Sequence, residues 1–191
     1  MPKALVILAE GFEELEAAAP ITVLRRAGVD VTVAGLQDKP IRGSRGITFV
    51  PDAALDWVAD QVFDVVVLPG GLPGTFNLRN SSLVTHVVRA AEQRGALVAA
   101  ICAAPTVLGA MGLLKNRRAT AHASVRPELS LAGATLVTDR PTVIDGRIVT
   151  SQGAGTAVDF GLALVRLLLG QPKAAEVAHG MMLELETRSR S

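Results

Sequence analysis

The feature that most constrains this chain is a rhythm: short apolar, β-branched runs alternate with longer amphipathic segments from end to end. The runs are Ala4-Ala9, Val31-Ala34, Val65-Leu68 and Leu97-Ile101, and they are continuous rather than alternating in polarity. Strands of that kind are buried on both faces, which requires helices above and below a mostly parallel sheet. Helical patterns fill the intervals at about Glu13-Ala27, Ser82-Arg94 and Ala103-Gly112, and later at Thr156-Leu169 and Pro172-Leu185. Gly28 follows the first of these, where a left-handed C-cap is wanted. Two places break the rhythm. Ile47-Val50 reads as a short strand in an excursion, and Asp145-Gly146 between Thr142-Ile144 and Arg147-Val149 is a two-residue hairpin signal. The expectation is an α/β fold whose mostly parallel sheet carries one antiparallel hairpin.

A chain of 191 residues, 49% of them hydrophobic, can bury one sizeable core, so a single domain over residues 1–191 is expected. Only Thr187-Ser191 reads as a frayed tail. Nineteen basic residues against eighteen acidic ones, with 3% aromatics, argue against nucleic acid as the partner. Cys102 is the sole cysteine, which excludes internal disulfides and cysteine-rich zinc sites and suits a reducing compartment. No His/Cys/Asp cluster has ligand spacing, so no metal is expected.

The apolar N-terminal run is too short for a signal peptide and is followed at once by Glu10, Glu13, Glu14 and Glu16. Gly95-Leu114 is uncharged over 20 residues, but Gly95, Pro105, Gly109 and Gly112 make it a strand, a sharp turn and a helix rather than a membrane span. A cytoplasmic protein without membrane contact is the expectation.

Ligands of open α/β sheets bind beyond the carboxyl ends of the strands. Three such segments carry chemistry. In Ile101-Cys102-Ala103-Ala104-Pro105 a buried strand turns directly into a helix with the thiol on the corner, the geometry of a nucleophile elbow. Helix N-terminal amides there would favour thiolate over thiol; the alternative is a cysteine buried as a small hydrophobe. Leu68-Pro69-Gly70-Gly71 presents bare N–H groups able to hold an oxyanion, or is simply a tight turn. In Glu13-Glu14-Leu15-Glu16, the first two acids complement a helix dipole. Glu16, flanked by Leu15 and Ala17-Ala19, is placed for burial, a raised pKa and acid/base work, against the alternative of a solvated face. His122 ends a short strand expected at Arg118-Ala121 and is the histidine best placed to serve as a base, while His86 and His179 read as surface or packing residues.

Five segments in register resemble the ThiJ/PfpI superfamily, in its branch of the parkinsonism-associated protein deglycase and bacterial YajL. They are Ala4-Ala9, Glu13-Glu16, Leu68-Gly71, Ala99-Pro105 and Thr150-Thr156, and they span essentially the whole chain. The resemblance implies a flavodoxin-like three-layer α/β/α sandwich, a homodimer and no cofactor. It matches Cys102 to the reactive cysteine, Glu16 to its protonated carboxylic acid partner and His122 to a nearby histidine twenty residues on. Gly70, Gly71 and Ala103 match backbone donors around the site, and Arg26 and Arg45 match arginines near the dimer interface beside the pocket. Departures matter as well. Ala103 stands where protease-like members have histidine, no later His-x-Glu pair serves an amidotransferase, Gly43 and Val50 replace accessory cysteines, and Ala154 replaces a proline in the late glycine loop.

By resemblance the expected activity is a cofactor-free, glutathione-independent glyoxalase acting on small reactive aldehydes such as methylglyoxal or glyoxal, with a protein deglycase activity at the same site. The competing expectation is a redox-responsive chaperone or stress sensor that oxidises Cys102. A third is an interaction module that has lost activity, against which the retention of Glu16, Cys102 and His122 speaks.

Overall fold

The computed structural model describes residues 1–183. Strand β1 (Lys3–Leu8) leads through α1 (Glu14–Arg26) to β2 (Asp30–Gly35). A small hairpin of β3 (Ile41–Arg42) and β4 (Thr48–Phe49) follows, then β5 (Ala53–Ala54) and α2 (Leu55–Val58). Next come β6 (Val65–Leu68), α3 (Gly74–Arg79), α4 (Ser82–Gln93), β7 (Leu97–Ile101) and α5 (Pro105–Ala110). The two-residue strands β8 (Arg118–Ala119) and β9 (Thr135–Leu136) bracket α6 (Arg126–Leu131), and β10 (Thr142–Asp145), β11 (Ile148–Ser151), α7 (Ala157–Leu169) and α8 (Gln171–Gly180) complete the order.

Seven strands form one sheet in the order β10-β11-β7-β6-β1-β2-β5. Every neighbouring pair is parallel except β10 and β11, which turn on Asp145-Gly146 as the sequence signal requires. The apolar runs are continuous because each strand feeds two cores. Ala4, Val6 and Leu8 of β1, Val65 and Val67 of β6, and Leu97, Ala99 and Ile101 of β7 pack under α1, α7 and α8. Their alternates Leu5, Ile7, Val66, Leu68, Val98 and Ala100 face the layer that holds α2, α4, α5 and α6. This is the three-layer flavodoxin-like sandwich.

The chain builds outward from β1 to β2 and β5, then crosses to β6 and builds the other way. That reversal brings the carboxyl ends of β1, β6 and β7 together, the place where an open α/β sheet leaves a crevice. Several expected boundaries shift, most by a residue or two, and three shifts bear on the site or the chain's end. The helix expected from Ala103 starts at Pro105, because residues 102–104 are spent on the turn out of β7. The strand expected over Arg118-Ala121 pairs only at Arg118–Ala119. The last helix stops at Gly180, and Met182 turns left-handed with φ 59°; Leu185 and the tail Thr187-Ser191 lie outside the described residues. Among the described residues no helix is long and apolar enough to cross a membrane.

Phe160, fully buried on α7, is among the largest side chains in the core beneath α1. Phe160→Ala is expected to cost about 3–5 kcal/mol, read as a lower urea midpoint.

Candidate active site

Cys102 follows the last residue of β7 and is held by backbone on both sides. Its N–H donates to the Ser151 carbonyl and its own carbonyl accepts from the His122 N–H, both at 2.9 Å. The chain must leave the strand abruptly, and Cys102 takes φ 64°, a left-handed conformation that costs a non-glycine residue roughly 1–2 kcal/mol. The elbow read from the sequence is therefore a strained one, and it lifts the side chain out of the strand's pleat toward the crevice.

Glu16, in the first turn of α1, is 1% exposed. Its Oε2 accepts from the Gly70 N–H at 2.9 Å. The Ala154 N–H also reaches the carboxyl, and the Cys102 thiol shares a hydrogen bond with it. Gly70 is glycine for a spatial reason: a Cβ there would lie 2.6 Å from Glu16 Oε2 and 2.8 Å from Cys102 Cβ. Gly71 takes φ 92°, and a Cβ on it would overlap the backbone of Glu13. The N–H groups of Gly71 and Ala103 are directed at the Cys102 sulfur. The single N–H of Gly70 is thus engaged by Glu16, while those of Gly71 and Ala103 face the thiol.

Burial pushes the Glu16 carboxyl from 4.5 up to about 7 against the pull of its hydrogen bond to Cys102, with the negative charge of Glu13 adding to the rise. Burial likewise pushes the Cys102 thiol from 9.0 up to about 12, helped by the charge of Glu16 and by the hydrogen bond to it. The expectation of a thiolate favoured by helix amides is overturned for the state in which Glu16 is ionised. Helix α5 is six residues long and starts with Pro105, which has no N–H to offer. Protonating Glu16 removes its charge and turns its carboxyl into a donor toward sulfur, which favours the thiolate. The two groups therefore titrate together, and the proton that remains after the first loss lies between them.

His122 caps a short turn at Ala123–Val125, with Nδ1 2.8 Å from Ser124 Oγ. The imidazole is exposed and makes no hydrogen bond to the thiol. It flanks the crevice instead. A Cβ placed on Gly153 would lie 3.8 Å from His122 Cδ2 and 3.9 Å from both Cys102 Sγ and Glu16 Oε1, so all three side chains border one small volume. Ala154 gains meaning here, since a proline at that position has no N–H to give to Glu16. Two acids do more than complement a dipole. Glu13 caps α1 by accepting the Glu16 N–H at 2.9 Å. Buried Glu14 accepts the N–H groups of Arg45 and Ile47 at 2.7 and 3.1 Å, pinning the β3–β4 hairpin to α1. The side chains of Arg26 and Arg45 are exposed. Among the described residues no group of three His, Cys, Asp or Glu side chains is arranged to hold a metal ion.

Folded Glu16 retains a proton that the unfolded chain releases between pH 4.5 and about 7. The folded state binds more protons in that window, so stability falls as pH rises through it. A tenfold difference in proton affinity between the folded and unfolded chain is worth about 1.4 kcal/mol, which makes the full loss roughly 3 kcal/mol. Urea unfolding across the window is expected to show this decline in the wild type and not in Glu16→Gln.

The family model described as DJ-1/PfpI matches residues 2–167. The crystal structure of Drosophila melanogaster DJ-1beta superposes with a TM-score of 0.92 at 45% identity, covering 95% of this chain and 98% of that one. Toxoplasma gondii DJ-1, in an oxidized form, gives a TM-score of 0.91 at 32% identity, covering 96% and 100%. The glutathione-independent glyoxalase DJR-1.2 of Caenorhabditis elegans is 37% identical over 171 residues, 89% of this chain and 90% of its own. With a strained cysteine elbow against a buried glutamate, and with these matches over nearly its whole length, the chain belongs to the DJ-1/PfpI family.

Proposed function

We propose that this protein is a glutathione-independent glyoxalase that converts methylglyoxal or glyoxal, with water, to the 2-hydroxy acid. The observation that carries this reading is the buried Glu16 carboxyl, raised to about 7 and hydrogen-bonded to Cys102. An acid/base group near the working pH beside a nucleophile is what the isomerisation needs. A relative named as a glutathione-independent glyoxalase supports it.

In the proposed sequence, the Cys102 thiol gives its proton to Glu16 as its sulfur bonds to the aldehyde carbon, the carbonyl π pair moves to oxygen, and that oxygen takes the proton on from Glu16 to give a hemithioacetal. The Gly71 and Ala103 N–H groups, already directed at this region, stabilise the developing oxyanion. Glu16 then takes the proton from the former aldehyde carbon, the adjacent ketone oxygen takes up the hydroxyl proton as an enediol forms, and Glu16 returns its proton to the adjacent carbon to leave a thioester. Water cleaves the thioester, releasing lactate in the methylglyoxal case and restoring the thiol. His122, at the mouth, assists the proton transfers through water. The same addition to an aldehyde-derived adduct on protein would account for a deglycase activity.

A second reading is favoured by one specific observation, the oxidized form of the Toxoplasma relative. Here peroxide converts Cys102 to a sulfinic acid, two peroxide molecules each delivering one oxygen and leaving as water, and protonated Glu16 donates a hydrogen bond to the product.

Lactate formation from methylglyoxal without glutathione is expected in the wild type, to be abolished in Cys102→Ser and reduced by about 100-fold or more in Glu16→Gln. Lactate no faster from wild type than from the serine variant would defeat the glyoxalase reading. For the second reading, intact mass after mild peroxide treatment is expected to rise by two oxygens in the wild type and not in Cys102→Ser; an unmodified wild type defeats it.

A further inference from the structure

Two glycines border the Cys102–Glu16 pair for opposite reasons. Gly70 admits no Cβ, since one would overlap Glu16 Oε2 and Cys102 Cβ at 2.6 and 2.8 Å. Gly153 admits one. Its backbone is extended at φ 161° and ψ −169°. A Cβ there meets nothing closer than 3.8 Å, an ordinary van der Waals contact. The position is also fixed, because its N–H donates to Thr156 Oγ1 at 3.1 Å and its carbonyl accepts from the same hydroxyl at 2.8 Å. Neither chain geometry nor packing therefore calls for glycine at this wall of the crevice.

What the missing side chain leaves is space, and its place is informative. The three nearest atoms to that Cβ position are His122 Cδ2, Cys102 Sγ and Glu16 Oε1, at 3.8, 3.9 and 3.9 Å. A 2-oxoaldehyde joined to Sγ through its aldehyde carbon carries its far substituent three bonds from the sulfur, at about the reach of this point. Its oxygens must meanwhile face the Glu16 carboxyl and the N–H groups of Gly71 and Ala103.

We propose that Gly153 is a specificity-determining residue: the volume over its Cα receives the carbon substituent of the bound 2-oxoaldehyde, the methyl group in methylglyoxal. This rests on the glyoxalase reading. A methyl group on residue 153 and the methyl group of the substrate compete for the same volume, whereas glyoxal carries hydrogen there.

The test is Gly153→Ala, compared with wild type on methylglyoxal and glyoxal in the glutathione-free assay, with thermal unfolding and alkylation of Cys102 by iodoacetamide and the bulkier N-ethylmaleimide. The kcat/KM ratio of methylglyoxal to glyoxal is expected to fall by about 10- to 200-fold, the range that one methylene commands in a fitted pocket. The melting temperature is expected to hold, and alkylation by N-ethylmaleimide to slow more than that by iodoacetamide. An unchanged substrate ratio overturns the proposal. So does a variant that fails to fold, for then the chain itself requires the glycine. If wild type turns over neither dicarbonyl, the glyoxalase reading fails by itself. The alkylation ratio then decides the role of Gly153: a selective slowing of the larger reagent supports control of access by size, and an equal effect on both overturns it.

Discussion

A carboxyl group withdrawn from water must be protonated or hydrogen-bonded, and the arrangement around Glu16 follows from that requirement. Its partners come from three separate stretches of chain: the Gly70 N–H after β6, the thiol of Cys102 after β7, and the Ala154 N–H after β11. Each can approach only because the reversal of strand order at β1 leaves an open crevice over the strand ends. Gly70 lacks a side chain so that α1 can bring the carboxyl against the elbow, and Glu13 caps α1 at the turn that carries it. Removing water from this group raises its pKa toward neutrality, so the burial that costs stability also places a proton-exchanging group beside the thiol.

The same coupling governs the cysteine. Left-handed backbone at Cys102 costs free energy, and the bonds to Ser151 and His122 hold it in place. Burial alone opposes the thiolate; the proton on Glu16 decides whether sulfur is a nucleophile. The two proposed reactions, addition to an aldehyde and oxidation, would both draw on that one ionisation, which is why one pair of residues supports two readings.

Much of the fold is legible in the sequence because a continuously apolar strand has few solutions. Val65–Leu68 and Leu97–Ile101 are strands at the bounds their apolar runs predict, and Asp145-Gly146 turns the hairpin. Boundaries differ where tertiary contacts outweigh local pattern. Ala103 and Ala104 have helical propensity but lie in the turn that Cys102 forces on the chain. Glu14 has the position of a dipole residue, and no local signal shows that a hairpin thirty residues on seats its backbone on that carboxylate. Gly153 lies in the late glycine loop, yet nothing in the spacing distinguishes it from Gly155, whose Cα faces open space.

The sequence by itself determined the three-layer sandwich, the corner position of Cys102 and the candidacy of Glu16, because apolar period, turn chemistry and residue type are local properties that survive without coordinates. Only the tertiary structure decided which groups share a proton, which N–H is free and which glycine is there for space. Those depend on desolvation and on approaches of a few ångströms between segments far apart in the chain, and neither is encoded in any single stretch of it.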